Sequence, residues 1–374
     1  MAGNWSEPFL FMSSSLPSFG LVGGGWRAEF FLRIARDLPD LFPCAGIVMR
    51  DAARRAQVSQ KWGLPAYATP DELLSGGKPD FVVTSVPWGA NSGLIELLVE
   101  KGASVLSETP IAPTLPEMVR LAALEAKGAR IQVAEQYSFQ PHHAAALAVI
   151  RSGRLGTVRE VDISAAHGYH GISLLRHYLE VGLRLPKITA RKIETKIIEG
   201  PDRSGPPTAE KVLDTSRVIA HFDYGDRFGL FDFTGDQYFS WIRSSRRLVR
   251  GERGEISQNE LRFLQDFKTP IRSCFSRRDT GHDGNLEGYS HADISVAGEI
   301  VYANPFPGAR WSDDEIAVAT CISKMQDYIR SGTSFYSVAE ACHDRYLDLL
   351  IDRAVAEGAV IQALPQPWCP AGGP

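Results

Sequence analysis

Residues 18–30 read SFGLVGGGWRAEF. A short apolar run meets three consecutive glycines, and an amphipathic stretch, WRAEFFLRIARDLP, starts at once with Phe30, Ile34 and Leu38 at helical spacing. This predicts a buried strand, a tight turn and a helix, with Gly23-x-Gly25-x-x-Ala28 in the turn. A glycine triplet alone says little, but between a strand and a helix it reads as a dinucleotide-binding loop. Gly23 allows the turn, Gly25 lets the backbone approach a pyrophosphate, and Ala28 lets helix and strand pack closely. The helix N-terminus offers free N–H groups and partial positive charge to phosphates. Gly23, Gly24, Gly25, Trp26 and Arg27 are the expected contacts.

Outward from this loop, strands and helices alternate to about residue 136. CAGIVMR reads as a strand, AARRAQVSQKWG as a helix stopped by Gly63, and TPDELLSGG as a short capped helix. DFVVTSVP is a continuous apolar strand, the pattern of burial on both faces. NSGLIELLVEKG is a helix with Asn91 as N-cap and Gly102 as stop, and TLPEMVRLAALEAKG and RIQVAEQY add a helix and a strand. Repeated βα units of this length predict a parallel, doubly wound sheet: an α/β chain whose residues 18–138 form a Rossmann dinucleotide-binding domain. The ribose reader belongs at the end of the second strand, Met49-Arg50-Asp51. Arg50 suits a 2′-phosphate and Asp51 lies beyond it, so the cofactor is NAD or NADP.

In such a sheet, ligands bind outside the carboxyl ends of the strands. Ser85, Val86, Pro87 and Trp88 follow one strand, and Trp88 is placed to cover a nicotinamide. In ASVLSETPIAPTL, residues 103–115, strand 104–106 runs into Glu108, Thr109 and Pro110. Pro110 ends the ladder, so Glu108 and Thr109 are expected exposed beside the cofactor. Gln136 and Tyr137 fall where this domain gives way to the next.

Residues 139–365 carry a different texture. QPHHAAALAVIRSGRLG is a helix, VREVDISAAHGYHG a strand with a histidine-rich end, and ISLLRHYLEVG a helix. KITARKIETKII, RVIAHFDYG, RFGLFDFTGDQYFSWI and RRLVRGERGEIS alternate as strands of an antiparallel sheet with one covered face. Helices 313–330 and 337–357 follow. The 374 residues suit two domains. The net charge of −4 gives no basic face for nucleic acid, and no apolar run reaches the ~20 residues of a membrane span. Five scattered cysteines form no metal or disulfide pattern and fit a reducing compartment, so a cytoplasmic protein with a loose N-terminal tail is expected. Apolar residues 9–12 are too few for a signal peptide core.

Over nearly its whole length the chain resembles the Gfo/Idh/MocA family of NAD(P)-dependent oxidoreductases. The likeness is carried by the glycine loop, SVPWGANSG, EKGASVLSETPIA, SGRLGTVREV, VRGERGEI and YSVAEACHDRYLDLLIDRA. It implies a dinucleotide domain followed by a substrate-binding and oligomerisation domain built on a large open, mostly antiparallel sheet. It also implies a Glu-Lys-Pro motif beside the nicotinamide; here the stretch is Glu108-Thr109-Pro110, and the lysine is missing. The family's helical histidine matches His177, Ser173 stands where its aspartate would be, so that carboxylate is missing too, and Asn91 stands near a frequent histidine.

Threonine is no general base, so another group must handle the proton. AAHGYHGISLLRH supplies His167, Tyr169, His170, Arg176 and His177, in a segment that faces the cofactor in the family. His177, His170 and Tyr169 are the catalytic candidates, Tyr169 on condition that a cation lowers its pKa. His167, Arg176, Tyr137 and Asp236 are the substrate-binding candidates. Phe231, Phe233, Tyr238, Phe239 and Trp241 offer faces for sugar rings or for sheet packing. No carboxylate completes a zinc site with the histidines, and no metal is expected. The expected function is hydride transfer to or from a sugar, polyol or sugar derivative. An NAD-dependent glycoside hydrolase and a catalytically degenerate nucleotide-binding protein are the alternatives. An aromatic open sheet predicts a homo-oligomer, dimer or tetramer.

Overall fold

The computed structural model describes residues 16–281 and 290–369; residues 9–12 lie outside them. The first half forms β1 (Phe19–Val22), α1 (Ala28–Asp37), β2 (Cys44–Val48), α2 (Ala52–Trp62), β3 (Ala66–Tyr67) and α3 (Pro70–Glu72). It continues with β4 (Phe81–Thr84), α4 (Trp88–Glu100), β5 (Val105–Ser107), α5 (Leu115–Ala126) and β6 (Ile131–Val133). Its six strands are parallel in the order β3-β2-β1-β4-β5-β6, the doubly wound order that places a crevice at the switch between β1 and β4. Strands β1, β4, β5 and β6 are fully buried, as their unbroken apolar runs predict.

Next come α6 (Pro141–Arg151), β7 (Val158–Ser164), α7 (Gly168–Leu179), β8 (Lys187–Ile198), β9 (Val212–Asp223) and β10 (Phe228–Thr234). They lead into β11 (Arg246–Gly251), β12 (Gly254–Ser257), β13 (Glu260–Leu264) and β14 (Pro270–Cys274). These strands join β18 (Ile361–Gln362) in a nine-stranded sheet, antiparallel except where β10 pairs with β7. Odd positions of β10 face α7: a Cβ on Gly229 would strike Leu175, and Phe231 packs at Gly171. Phe231 and Phe233 are therefore core, not sugar-stacking surface. RRLVRGERGEIS, read as one strand, is the hairpin β11–β12. A separate three-stranded sheet of β15 (Ser276–Thr280), β16 (Ser290–Val296) and β17 (Glu299–Ala303) was not foreseen.

The chain ends in α8 (Asp313–Ser331) and α9 (Val338–Glu357), each opened by a Ser-x-x-Glu capping box. Helix α8 returns to the first half. Phe306, Trp311 and Ile316 share one core with Phe31, Ile34 and Phe42 of the nucleotide domain, and Trp311 donates to Asp37 at 2.9 Å. Among the described residues, no helix is long and apolar enough to cross a membrane. All five cysteines are unpaired.

Candidate active site

The glycine loop has the shape a pyrophosphate needs. Gly23 sits at φ +120°, and a Cβ there would lie 1.9 Å from the Ser85 carbonyl. At Gly25 a Cβ would meet no protein atom within 4 Å, leaving the backbone open at the start of α1. Ala28 is buried where α1 meets the sheet. The loop thus fits a dinucleotide, and Gly24, Gly25 and Trp26 are the residues that could meet its phosphates. Trp26 is 55% exposed and carries the Arg203 guanidinium 4.1 Å above its ring.

Arg27 turns inward. It donates to Glu108 at 2.8 Å and to Asp314 of α8 at 2.9 Å, and Gln136 accepts from it at 3.2 Å. Burial works against its charge, but the two carboxylates outweigh burial and hold the guanidinium raised. Glu108 is accordingly buried, not exposed as expected: a strand-end carboxylate with an arginine partner loses little by leaving water. Asn91 is also turned inward. Its amide accepts from Thr84 at 2.7 Å and donates to Ser107 at 3.0 Å and to the carbonyls of Glu108 and Pro110 at 3.1 Å. It braces the Glu108–Pro110 turn from behind and offers no atom to a cofactor. Pro87 and Trp88 lie exposed at the β4 end. Trp88 meets Tyr169 edge-on at 6.0 Å.

Helix α7 begins at Gly168, so Tyr169 and His170 occupy its first turn. His170 Nε2 points at Thr109 Oγ1, 3.5 Å away, and its Nδ1 lies 2.5 Å from Glu135. Glu135 follows β6, is fully buried, and accepts from the Tyr137 N–H at 3.3 Å. Burial pushes Glu135 up to about 8 and His170 down to about 3. The pair holds one proton through neutrality and titrates as a unit. With that proton, Nε2–H faces the cleft as a donor. Without it, the Glu135 carboxylate takes the Nδ1–H, and Nε2 presents a lone pair. One imidazole can thus give or take a proton beside Thr109.

Aromatic groups wall this spot. The Tyr137 ring lies 4.6 Å from His170, and its hydroxyl is 3.2 Å from Tyr238. Tyr238 accepts from the His167 N–H at 3.0 Å and lies 2.6 Å from its Nδ1. Burial pushes His167 down to about 3. Tyr169 is raised, first by burial and then by nearby Glu135; the cation that would lower it is not there, and its phenol stays protonated. A small cavity of about 10 Å³ is lined by Thr109, Tyr169, Glu135, Tyr336 and Asp344.

Three expected residues stand apart. His177 Nδ1 is 2.7 Å from the Ser173 carbonyl in its own helix, and its ring stacks on Tyr336 at 5.7 Å, two turns beyond His170. Arg176 is buried against Asp344 at 2.5 Å and the Gly182 carbonyl at 2.9 Å, so its charge is spent inside. Asp236 accepts from Thr234 within its own turn; Tyr238 is the residue of that turn that reaches the cleft. Glu135 was missed, although an acid directly after an apolar strand end was a readable sign. Among the described residues, no cluster of His, Cys, Asp and Glu could hold a metal ion.

Residues 18–135 match the model of the GFO_IDH_MocA oxidoreductase family, NAD-binding Rossmann fold. The match covers the nucleotide domain alone. Its segment of 139 residues is 27% identical to D-apiose dehydrogenase of Paraburkholderia graminis, covering 37% of either chain. The chain thus spans little more than a third of that relative. The fold is that of levoglucosan dehydrogenase, solved with NADH and levoglucosan (TM-score 0.67, 17% identity, 94% of this chain and 100% of that one). An oxidoreductase domain protein from Kribbella flavida superposes at TM-score 0.70, with 18% identity over 94% of this chain and 100% of that one. The chain therefore has the fold of both solved proteins over almost its full length.

Proposed function

We propose that this chain is a Gfo/Idh/MocA-type NAD(P)-dependent dehydrogenase of a carbohydrate-like alcohol. The observation that carries the reading is the His170 imidazole, held by buried Glu135 at 2.5 Å and aimed at Thr109 where the family's lysine would stand. The bound dinucleotide would supply the hydride acceptor or donor. In the oxidation, His170 Nε2 takes the hydroxyl proton as the hydride leaves carbon; in the reduction it returns that proton. Thr109, Tyr169 and Tyr137 keep neutral hydroxyls for substrate oxygens, and the aromatic walls suit a sugar ring. The sugar names among the relatives support this substrate class.

We place the protein in the cytoplasm, supported by its five unpaired cysteines. We infer a homo-oligomer through the open sheet face, supported by exposed Trp241, Ile242 and Val212 at its end. The test is a screen of free sugars, polyols and glycosides with NAD and NADP, following reduced dinucleotide by absorbance. Stoichiometric reduced dinucleotide from an alcohol supports the reading. Glycoside cleavage with no net reduction would overturn it in favour of a recycling cofactor.

A further inference from the structure

We infer that the adenosine end of the site is built for a 2′-phosphate, so that NADP(H) is preferred to NAD(H). The inference rests on the dinucleotide reading above. Its ground is the turn between β2 and α2, beside the glycine loop. A ribose diol is read by an acid at the end of the second strand, and a 2′-phosphate by an arginine there.

No free acid is available in that turn. Met49 follows β2 and packs beneath the loop: a Cβ on Gly24 would lie 2.4 Å from its terminal methyl. Asp51, the carboxylate closest to the strand end, caps α2 by accepting from the Arg54 N–H at 2.7 Å. A carboxylate fixed on a helix N-terminus is not presented to a diol.

Cations take the place of the acid. Arg50 is exposed, and among the described residues its guanidinium has no ion-pair partner. Arg54 reaches from the first turn of α2 to the Gly24 carbonyl at 3.2 Å, which sets its charge against the loop that cradles the phosphates. Arg55 donates to the carbonyls of Met49 and Arg50, at 2.9 and 2.7 Å, and fixes the backbone from which Arg50 projects. An arginine fork matches a phosphate in charge and geometry. A 2′-hydroxyl offers this turn no comparable partner.

The experiment is calorimetric titration of the purified chain with NADPH, NADH, adenosine 2′,5′-bisphosphate and AMP, in the parent and in Arg50→Ser and Arg50→Asp. The parent should bind NADPH about tenfold or more tighter than NADH, and the bisphosphate tighter than AMP. Arg50→Ser should weaken NADPH by about tenfold while leaving NADH within about twofold, and Arg50→Asp should erase the preference. Unchanged NADH affinity shows that the variants are folded. Equal or tighter binding of NADH by the parent would overturn the inference and leave the dinucleotide reading standing. Failure of both dinucleotides to bind would overturn both.

Discussion

Replacing Glu135 by glutamine separates catalysis from stability at one atom. Glu135 is fully buried, and its pKa rises from 4.5 to about 8. Between those values the folded chain holds a proton that the unfolded chain has released. Glu135 alone therefore makes stability fall by about 1.4 kcal/mol per pH unit up to about 8, and His170, pushed down to about 3, offsets that fall below about 6.5, where the unfolded imidazole holds a proton that the folded one lacks. The pair's net fall is therefore confined to about pH 6.5–8 and comes to about 2 kcal/mol. Asp344, pushed up to about 7, falls in the same window, so the difference between variant and parent isolates Glu135. Glu135→Gln should be more stable than the parent at pH 7, and its stability should decline less steeply from pH 5 to 8. Urea denaturation across pH 5–9 measures both. In the variant the carboxamide oxygen keeps the Tyr137 N–H, so its NH₂ donates to His170 Nδ1 and leaves the ring proton on Nε2. The imidazole can then no longer accept, and alcohol oxidation should fall about 100-fold or more. A variant with the parent's pH slope, or one less stable at pH 7, would refute the shared-proton pair.

Gly25→Val should abolish dinucleotide binding with little change in Tm, because a side chain there meets only space meant for phosphate; unchanged affinity by calorimetry would remove the loop from the site. His170→Ala should lower the oxidation rate by about 100-fold or more, and His177→Ala far less, since His177 bonds within its own helix; equal losses in steady-state rates would contradict this. Thr109→Lys should leave activity flat or lower it, because a cation on the side chain whose hydroxyl now lies 3.5 Å from His170 Nε2 opposes protonation of that ring; a gain on any polyol would mark a decayed dehydrogenase. Parent oxidation should rise with pH through about 8 as the pair loses its proton, and reduction should fall over the same range; a flat profile in kcat would exclude the pair. Trp241→Asp should shift sedimentation from oligomer to monomer, and a parent that is already monomeric at micromolar concentration would dismiss the interface.

What was legible in the chain was local. Lys187–Ile198 is a strand at its expected bounds, and the last two helices start within a residue of expectation because Ser312/Glu315 and Ser337/Glu340 announce their caps. The glycine loop was readable because turn, strand and helix signals are adjacent. The site was less so. Glu135 acquires its depth and its proton from His170, 35 residues away, and from burial that no local pattern reports. His177 stands at a family position, yet its Nδ1 is engaged by the Ser173 carbonyl one turn back, a contact invisible in composition. Arg176 looks like a ligand arginine until Asp344, 168 residues on, appears beside it.

The junction of Arg27 with Asp314 spans 287 residues of chain. The nucleotide domain is thus not finished when its last strand leaves the ribosome. Its flank at α1, with Phe31, Ile34 and the following Phe42, is completed only when Phe306, Trp311 and α8 arrive. In topological terms most of the nine-stranded sheet lies between the last strand of the first domain and the helix that completes it, with β18 added after that helix. A gene cut after residue 138 would yield a Rossmann half with an uncovered apolar flank and an arginine short of one partner. The glycine loop and α8 must therefore meet before Arg27 has both of its carboxylate partners.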